Sequence, residues 1–235
     1  MQLASSNAAS SAAMQMTDMG NDVFAHVLFD QLEGRTDGSN SEFRWDGEGW
    51  IGTDTNRAWF KSEGFASGGT NGDDVSDADI EALYDRPLPR LQYFDGQIGV
   101  RKDLDSLPHR TWLALGIEGL APGFFDVQPT LYIRDGGHVA GRVTSSYDLL
   151  LTQRLIAQPE IEMNFYSRRD PARLLGTGLT DLDTGIRIRY EIRRKFAPYA
   201  GFAYMRDFGE TARLVRQSGE YAAAPRFIFG LRLWY

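Results

Sequence analysis

The sequence predicts an all-β fold, a transmembrane antiparallel β-barrel of about 12 strands. Three observations lead to this prediction. Apolar and polar residues alternate along most segments, those segments run to roughly ten residues or more, and the connections between them alternate between short and long. Strands of that length are long for globular proteins but suit a tilted crossing of a bilayer. We therefore expect short periplasmic turns at one end of the barrel and longer extracellular loops at the other.

The closing stretch RFIFGLRLWY, residues 226–235, shows the alternation clearly. Successive side chains of a strand point to opposite faces, so Arg226 and Arg232 share one face and a row of large apolar side chains shares the other. A closed barrel needs such a final strand, because this strand must pair with the first one and leave no free edge. We predict antiparallel pairing of the strand near 224–235 with the strand near 23–33.

The same alternation divides the rest of the chain into strands. The stretch SDADIEALYDR, residues 76–86, is ambiguous, because Ser76 and Asp79 resemble a helix cap and the apolar spacing there also fits a helix. We predict a strand, because an even number of strands brings both chain ends to the short-turn side. The predicted strands lie near residues 23–33, 43–52, 57–66, 77–86, 91–102, 110–120, 124–134, 139–151, 154–167, 181–194, 199–209 and 224–235.

The main alternative fold is a soluble β-sandwich or a lipocalin-like barrel, in which the apolar faces would point inward. The polar faces argue against it, because they mix both signs of charge and carry Arg and Glu in the middle of strands, as a lumen does. The formal net charge of -7 argues against a nucleic-acid partner. The chain contains no cysteine, so it has no disulfide and no thiolate metal site.

The side chains predicted to face the lumen are crowded with charge. Opposite charges in a narrow interior must pair to offset the loss of hydration. We interpret them mainly as an ion-pair network that narrows or plugs the pore, and the alternative is a path of carboxylates that passes cations across the barrel. The predicted lumen charges are Lys61, Glu63, Glu81, Asp95, Arg101, Glu118, Asp126, Glu160, Glu162, Arg187, Arg189, Glu191 and Arg232.

An enzyme is a further alternative, because outer-membrane phospholipases and proteases use barrels of similar size. Such enzymes need a nucleophile with a base, or paired acidic residues with a histidine. The chain has 3 histidines, and none is matched to a serine in the middle of the predicted lumen. We therefore predict no enzymatic activity and regard a passive small-solute channel as the stronger alternative function.

Residues 1–21 are predicted to form a flexible, methionine-containing segment ahead of the barrel domain, residues 22–235. Three methionines of this segment lie close in sequence to the first histidine. Thioethers suit Cu(I), and imidazole accepts Cu(I) or Cu(II). The alternative is that methionines near a flexible terminus have no function. The candidate metal ligands, placed at the periplasmic mouth, are Met14, Met16, Met19 and His26.

Several stretches of residues 22–235 are distinctive beyond their alternation. They are LFDQLEGR, WDGEGWIGTDTNRAWFKSEG, GLAPGFFDVQPTLYIRD, YDLLLTQRLIAQPEIEMNFYS, GIRIRYEIRRKFAPYAGF and the closing GLRLWY. Together they resemble the copper resistance protein B family of outer-membrane proteins.

The resemblance implies a protein of the outer membrane of a Gram-negative bacterium that takes part in periplasmic copper tolerance. Members carry a Met- and His-rich region ahead of the barrel, of which only MQMTDMGNDVFAH, residues 14–26, is recognisable in this sequence. The implied function is to bind copper and to sequester it or export it from the periplasm, and the thioether ligands would favour Cu(I) over Cu(II). The implied partners are the lipid bilayer, copper and a periplasmic copper-binding protein or oxidase.

Overall fold

Alternating apolar and polar residues form one antiparallel sheet that closes on itself. The structure, a computed structural model, describes residues 22–38, 40–69, 72–105 and 109–235. Within these residues the chain forms 13 strands, one α-helix, α1 (Gly209–Ser218), and two 3-10 turns, Asp135–Gly137 and Pro171–Arg173. The strands are β1 (Phe24–Thr36), β2 (Ser41–Gly52), β3 (Arg57–Gly69), β4 (Gly72–Pro87), β5 (Phe94–Asp103), β6 (Arg110–Ala121), β7 (Phe125–Arg134), β8 (His138–Ser146), β9 (Leu149–Leu150), β10 (Leu155–Tyr166), β11 (Gly178–Tyr190), β12 (Phe196–Asp207) and β13 (Ala223–Trp234).

The first and last strands pair and close the barrel. β1 and β13 run antiparallel, with Glu33 opposite Gly230. Val27 and Tyr235 exchange two backbone hydrogen bonds, with N···O distances of 2.9 and 2.8 Å. This pairing confirms the predicted closure, and it explains why the chain ends on an apolar, alternating strand.

The ring consists of twelve long strands because β9 continues β8. Ser146 at the end of β8 pairs with Glu160, and Leu149 in β9 pairs with Ala157, so both short pieces lie in one register against β10. The strand predicted near 139–151 is therefore a single strand with a short interruption. The predicted number of strands and their antiparallel order are confirmed.

The outer face of the barrel is apolar and the inner face is polar. On β13, Phe227 and Phe229 are 60% and 61% exposed, whereas Arg187 on β11 is only 3% exposed. This arrangement is the reverse of the soluble sandwich considered as an alternative, whose apolar faces would be buried. A small apolar cluster inside the barrel consists of Trp59, Leu83, Trp112, Ala114, Tyr132 and Ala140.

A bulge in β1 reverses the alternation of that strand. The register against both neighbouring strands shifts just after Phe29. Before the shift His26 and Leu28 point inward, since the His26 ring lies between two tryptophan rings and Leu28 lines the central cavity, as does Asp30 in the bulge itself. After the shift Glu33 and Arg35 are inward and buried. The extra residue of the bulge re-aims the side chains, so both halves of β1 place polar groups in the interior.

The two ends of the barrel carry connections of different length. The turn end, where β1 starts and β13 stops, has tight connections at 53–56, 88–93, 122–124, 151–154 and 191–195. The opposite end, the loop end, carries the two longest connections, 167–177 and 208–222. The predicted asymmetry between the ends is thus present, although it rests mainly on these two loops.

Two predicted loops differ in detail. The polar stretch between the strands near 57–66 and 77–86 is mostly strand, because β3 and β4 continue their ladder as far as the pair Gly69 and Gly72. The loop after β12 contains α1, which ends at Gly219 with a φ of 93°, the left-handed cap common at helix ends. Among the described residues, α1 included, no helix has the length and apolar composition needed to span a membrane.

Candidate functional site

The interior of the barrel holds a continuous chain of ion pairs that starts near the loop end. Arg101 of β5 lies 2.9 Å from Asp103 of the same strand and 2.9 Å from Asp79 of β4. Asp79 is also 3.4 Å from Arg142 of β8, and Arg142 lies 3.5 Å from Glu162 of β10. These contacts join four strands of the wall through alternating charges.

The ion-pair chain continues across the lumen to the opposite wall. Arg44 of β2 lies 2.9 Å from Glu162 and 2.7 Å from Asp183 of β11. Asp183 also lies 2.6 Å from Arg35 of β1, which is 2.6 Å from Glu33 two residues earlier. One aspartate therefore holds two arginines that come from neighbouring strands.

Arg187 connects Glu33 to Glu160, the last acid of the ion-pair chain. Its guanidinium lies 2.8 Å from Glu33 and 3.1 Å from Glu160 of β10. It also donates to the Gln31 side-chain oxygen at 2.9 Å, and the Gln31 amide nitrogen donates to Glu160 at 2.9 Å. Glu160 lines the central cavity, so the ion-pair chain runs from the loop-end wall to that cavity.

Burial decides how these charges behave. The side chains of Arg35 and Glu33 are 0% exposed, and aromatic rings cover other members. The Phe65 ring lies 5.2 Å from the guanidinium carbons of both Arg35 and Arg44, and the Tyr132 ring lies 4.6 Å from that of Arg101. A buried charge that loses its partner strongly destabilises the fold. Each contact of the ion-pair chain is therefore needed to keep its neighbours paired.

A cavity of about 290 Å3 extends from the ion-pair chain toward the turn end. Lys61 crosses its wall, 3.0 Å from Glu118 and 3.6 Å from Glu48. The lining contains more acids than bases, which gives the cavity a negative potential that favours cations. The acids are Asp30, Asp46, Glu48, Glu63, Asp79, Glu81, Asp126, Asp148, Glu160 and Glu162, and the bases are Arg44, Lys61, Arg142 and Arg232.

His26 lies inside the barrel at the turn end. Its ring centroid is 6.3 Å from that of Trp50 and 5.8 Å from that of Trp234. The other candidate ligands, Met14, Met16 and Met19, lie outside the described residues. Among the residues that are described, no group of three or more His, Cys, Asp or Glu side chains could hold a metal ion. The described part of the predicted copper site is thus a single imidazole between two indole rings.

Most of the remaining predicted lumen charges lie along the inner wall. Glu191 directly follows the last residue of β11, at the turn end, where its backbone N–H donates to the carbonyl oxygen of Arg154 at 2.8 Å. The other contacts are Glu63 with Arg142, Glu81 with the Tyr132 hydroxyl at 2.7 Å, Asp95 with Arg57 at 2.9 Å, Arg189 with Asp148 at 2.7 Å, Arg232 with Asp30, and Asp126 at the cavity wall.

Several interior charges are absent from the sequence prediction. Glu33 and Arg35 follow the β1 bulge, which cannot be recognised from alternation alone, so their inward direction is hidden. Arg44, Asp46 and Glu48 do alternate within FRWDGEGW, and the period of two would have identified them. The missed charges supply much of the ion-pair chain and much of the acidic lining of the cavity.

Comparison with protein families gives a match over nearly the whole described chain. A family model described as "Copper resistance protein B precursor" matches residues 23–235. Copper resistance protein B of Escherichia coli is 41% identical over 209 residues, which cover 89% of this chain and 69% of that protein. The copper resistance protein B homolog of Pseudomonas syringae pv. tomato is 38% identical over 211 residues, which cover 90% of this chain and 70% of that protein.

Solved structures give more distant matches. The outer-membrane expressed OmpT of Vibrio cholerae has a TM-score of 0.39 and 8% identity, with 92% of this chain and 98% of that chain covered. Its loop L8 deletion mutant has a TM-score of 0.38 and 8% identity, with 92% and 100% covered.

Proposed function

The chain belongs to the copper resistance protein B family, and from this membership we propose that it is an outer-membrane barrel that binds copper and contributes to copper resistance. Its proposed role is non-catalytic: it sequesters copper or exports it from the periplasm. The observation that carries the proposal is the family match over residues 23–235, to relatives named for copper resistance.

The exposed surface supports a location in the outer membrane of a Gram-negative bacterium. Large apolar side chains such as Phe60, Phe202 and Phe229 point outward and are 55–61% exposed, which would be costly in water. In a bilayer the same band meets the acyl chains, and a closed barrel leaves no backbone group unpaired there. The turn end would then face the periplasm and the loop end the outside.

The proposed copper site lies at the periplasmic mouth. β1 begins at the turn end with Phe24, so the methionine segment ahead of it is attached at this mouth. Met14, Met16 and Met19 would supply soft thioether ligands, which favour Cu(I), and His26 would supply an imidazole fixed in the barrel wall. Fixing four separate side chains around one metal ion has an entropic cost, so we expect modest affinity.

The acidic cavity supports a role in handling a cation. It begins next to the mouth, where Leu28 and Asp30 of β1 line it two and four residues after His26. Its negative potential would concentrate cations released from the site. Carboxylates alone bind copper less selectively than thioethers and imidazole, so in this proposal the mouth selects copper and the cavity only attracts it.

A passive small-solute channel is the second candidate function. The cavity of about 290 Å3 favours it, because a barrel with enclosed space can admit small solutes. The ion-pair chain disfavours it, because Arg44, Glu162 and Asp183 are close-packed across the lumen. Single-channel conductance of the purified barrel distinguishes the two, since a passive channel conducts without any dependence on copper.

The copper site is tested by isothermal titration of the detergent-solubilised barrel with Cu(I) and Cu(II). The triple variant Met14→Leu, Met16→Leu, Met19→Leu keeps the apolar bulk and removes the sulfurs, so we expect it to lose most Cu(I) binding. The matched control is Met163→Leu, on β10 between the inward-facing Glu162 and Asn164, which should bind as the parent does. Unchanged Cu(I) binding by the triple variant would contradict the proposed site.

A further inference from the structure

The connection 167–177 between β10 and β11 forms a strap across the loop end of the barrel. Its 3-10 turn carries Arg173, whose guanidinium lies 2.7 Å from Asp105 and 3.2 Å from Asp103, with Asp77 at 3.5 Å. These aspartates belong to β4, to β5 and to the loop after β5, whereas the strap starts on β10. Since β6, β7 and β8 separate β5 from β10 around the ring, Arg173 reaches across the mouth.

The strap is held at its other end by the helix. The backbone N–H of Gly176 donates to the Thr211 hydroxyl of α1 at 2.8 Å. A side chain at Gly176 would lie 2.7 Å from the Thr211 backbone nitrogen, so only glycine fits this close approach. Asp170 lies 2.6 Å from Arg110 of β6. The strap is thus anchored at α1 and fastened to the far wall by charge.

Arg173 is the main fastening on the far wall. Its side chain is 4% exposed and is surrounded by three carboxylates. Burial alone would lower the pKa of its guanidinium, but the neighbouring Tyr166 and the aspartates raise this pKa above its ordinary value. It therefore stays charged. Asp103 also holds Arg101, the first link of the interior ion-pair chain, so Arg173 joins the strap to that chain.

We propose that the strap 167–177 is a gate, which covers the loop end of the barrel on the outer side of the interior ion-pair chain. Most side chains from Ser167 to Ala172 are exposed, so apolar burial contributes little to holding this part of the strap down. Segments with few buried apolar contacts open at low free-energy cost, on the timescale of other gating loops. Release of Arg173 frees the strap and leaves Asp103 short of one partner. The gate does not depend on which solute the barrel handles.

One-sided thiol labelling tests the gate directly. The chain contains no cysteine, so Ala140→Cys places a single thiol in the interior apolar cluster, on the loop-end side of Arg142. In proteoliposomes of known orientation, a charged methanethiosulfonate added at the loop end should modify this thiol only slowly in the parent. With Arg173→Gln added, we expect loop-end labelling to become about tenfold faster, because lost hydrogen bonds to charged groups shift an equilibrium by that order.

Two further variants separate the latch from general damage. Asp105→Asn should act in the same direction as Arg173→Gln. Combining the two should add little, since both variants lose the same contact between Arg173 and Asp105. Arg169→Gln is the matched control, because Arg169 lies in the same strap but its side chain is 64% exposed. Its ion pair with Glu210 is long, at 3.5 Å, and an exposed pair contributes little. This variant should label as the parent does.

A strap-shortened barrel, with residues 168–176 replaced by a short Gly-Ser linker, provides a second test. We expect it to fold, as judged by its heat-dependent gel migration, and its Ala140→Cys thiol to be labelled from the loop end several-fold faster than that of the parent. If loop-end labelling stays at the parent level in both Arg173→Gln and the shortened barrel, the strap is not the gate.

Discussion

At the scale of single residues, the interior is stabilised by shared carboxylates. Asp183 accepts from both Arg35 and Arg44, at 2.6 and 2.7 Å, and the side chains of these arginines are 0% and 5% exposed. A pair of buried cations so close together is tolerable only because this carboxylate and its neighbours offset their charge. The contribution of Asp183 is therefore much larger than that of a surface acid.

This difference can be measured as a free energy of unfolding. Asp183→Asn keeps the shape and removes the charge, so we expect it to lower the free energy of unfolding by about 3–5 kcal/mol. The control is Arg213→Ala, whose side chain is 63% exposed and pairs with Glu210 at 3.2 Å, and which should cost about 0–1 kcal/mol. Denaturant titration in lipid vesicles compares the two. Equal costs would show that Asp183 is not an essential link.

At the scale of elements, the sequence predicts strands better than it predicts what joins or bends them. The strands are predictable because an apolar outside and a polar inside impose alternation on every one of them, as Ile186 to Arg189 show. The β1 bulge is not, because one extra residue beside Asp30 changes the direction of all that follow without changing composition. Helix α1 was missed because it lies in a loop, where the sheet imposes no pattern.

The outward face of β11 provides a test of membrane placement. Ile186 is 45% exposed near the middle of the strand, so Ile186→Arg would place a charge in the acyl region at a cost of about 2–4 kcal/mol. Ile192 is 50% exposed but lies beyond the strand, in the turn 191–195, and Ile192→Arg should cost about 0–1 kcal/mol. Folding into vesicles measures both. If the first variant folds as well as the second, this face does not meet lipid.

At the scale of the whole molecule, the ion pairs inside the barrel join residues from distant parts of the sequence. Arg44 and Asp183 are 139 positions apart, and Arg187 and Glu33 are 154 positions apart. Alternation predicts that such residues face inward, but it does not give the stagger between strands that decides which of them meet. The inward or outward direction of the side chains was therefore predictable from the sequence. Which of them form the ion-pair chain, and that the strap joins this chain, could be learned only from the structure.

Closure of the barrel depends on the pairing of β1 with β13, which a cross-link can test. Leu32 and Leu231 are direct partners across this seam, and side chains so placed are about 4.5–5.5 Å apart, close enough for a disulfide. Because the chain has no cysteine, the double variant Leu32→Cys, Leu231→Cys should form one intramolecular bond on mild oxidation of the folded barrel.

The matched control for closure pairs Leu32→Cys with Phe202→Cys on β12. Phe202 lies opposite Phe227 of β13, so β13 separates it from β1 by two strand spacings, about 9–10 Å, beyond the reach of a disulfide. Gel migration before and after reduction reports the bond. We expect a cross-link in the first variant only, and only when the barrel is folded before oxidation. An uncross-linked Leu32, Leu231 pair in folded barrels, or equal cross-linking of the control, would contradict a seam between the first and last strands.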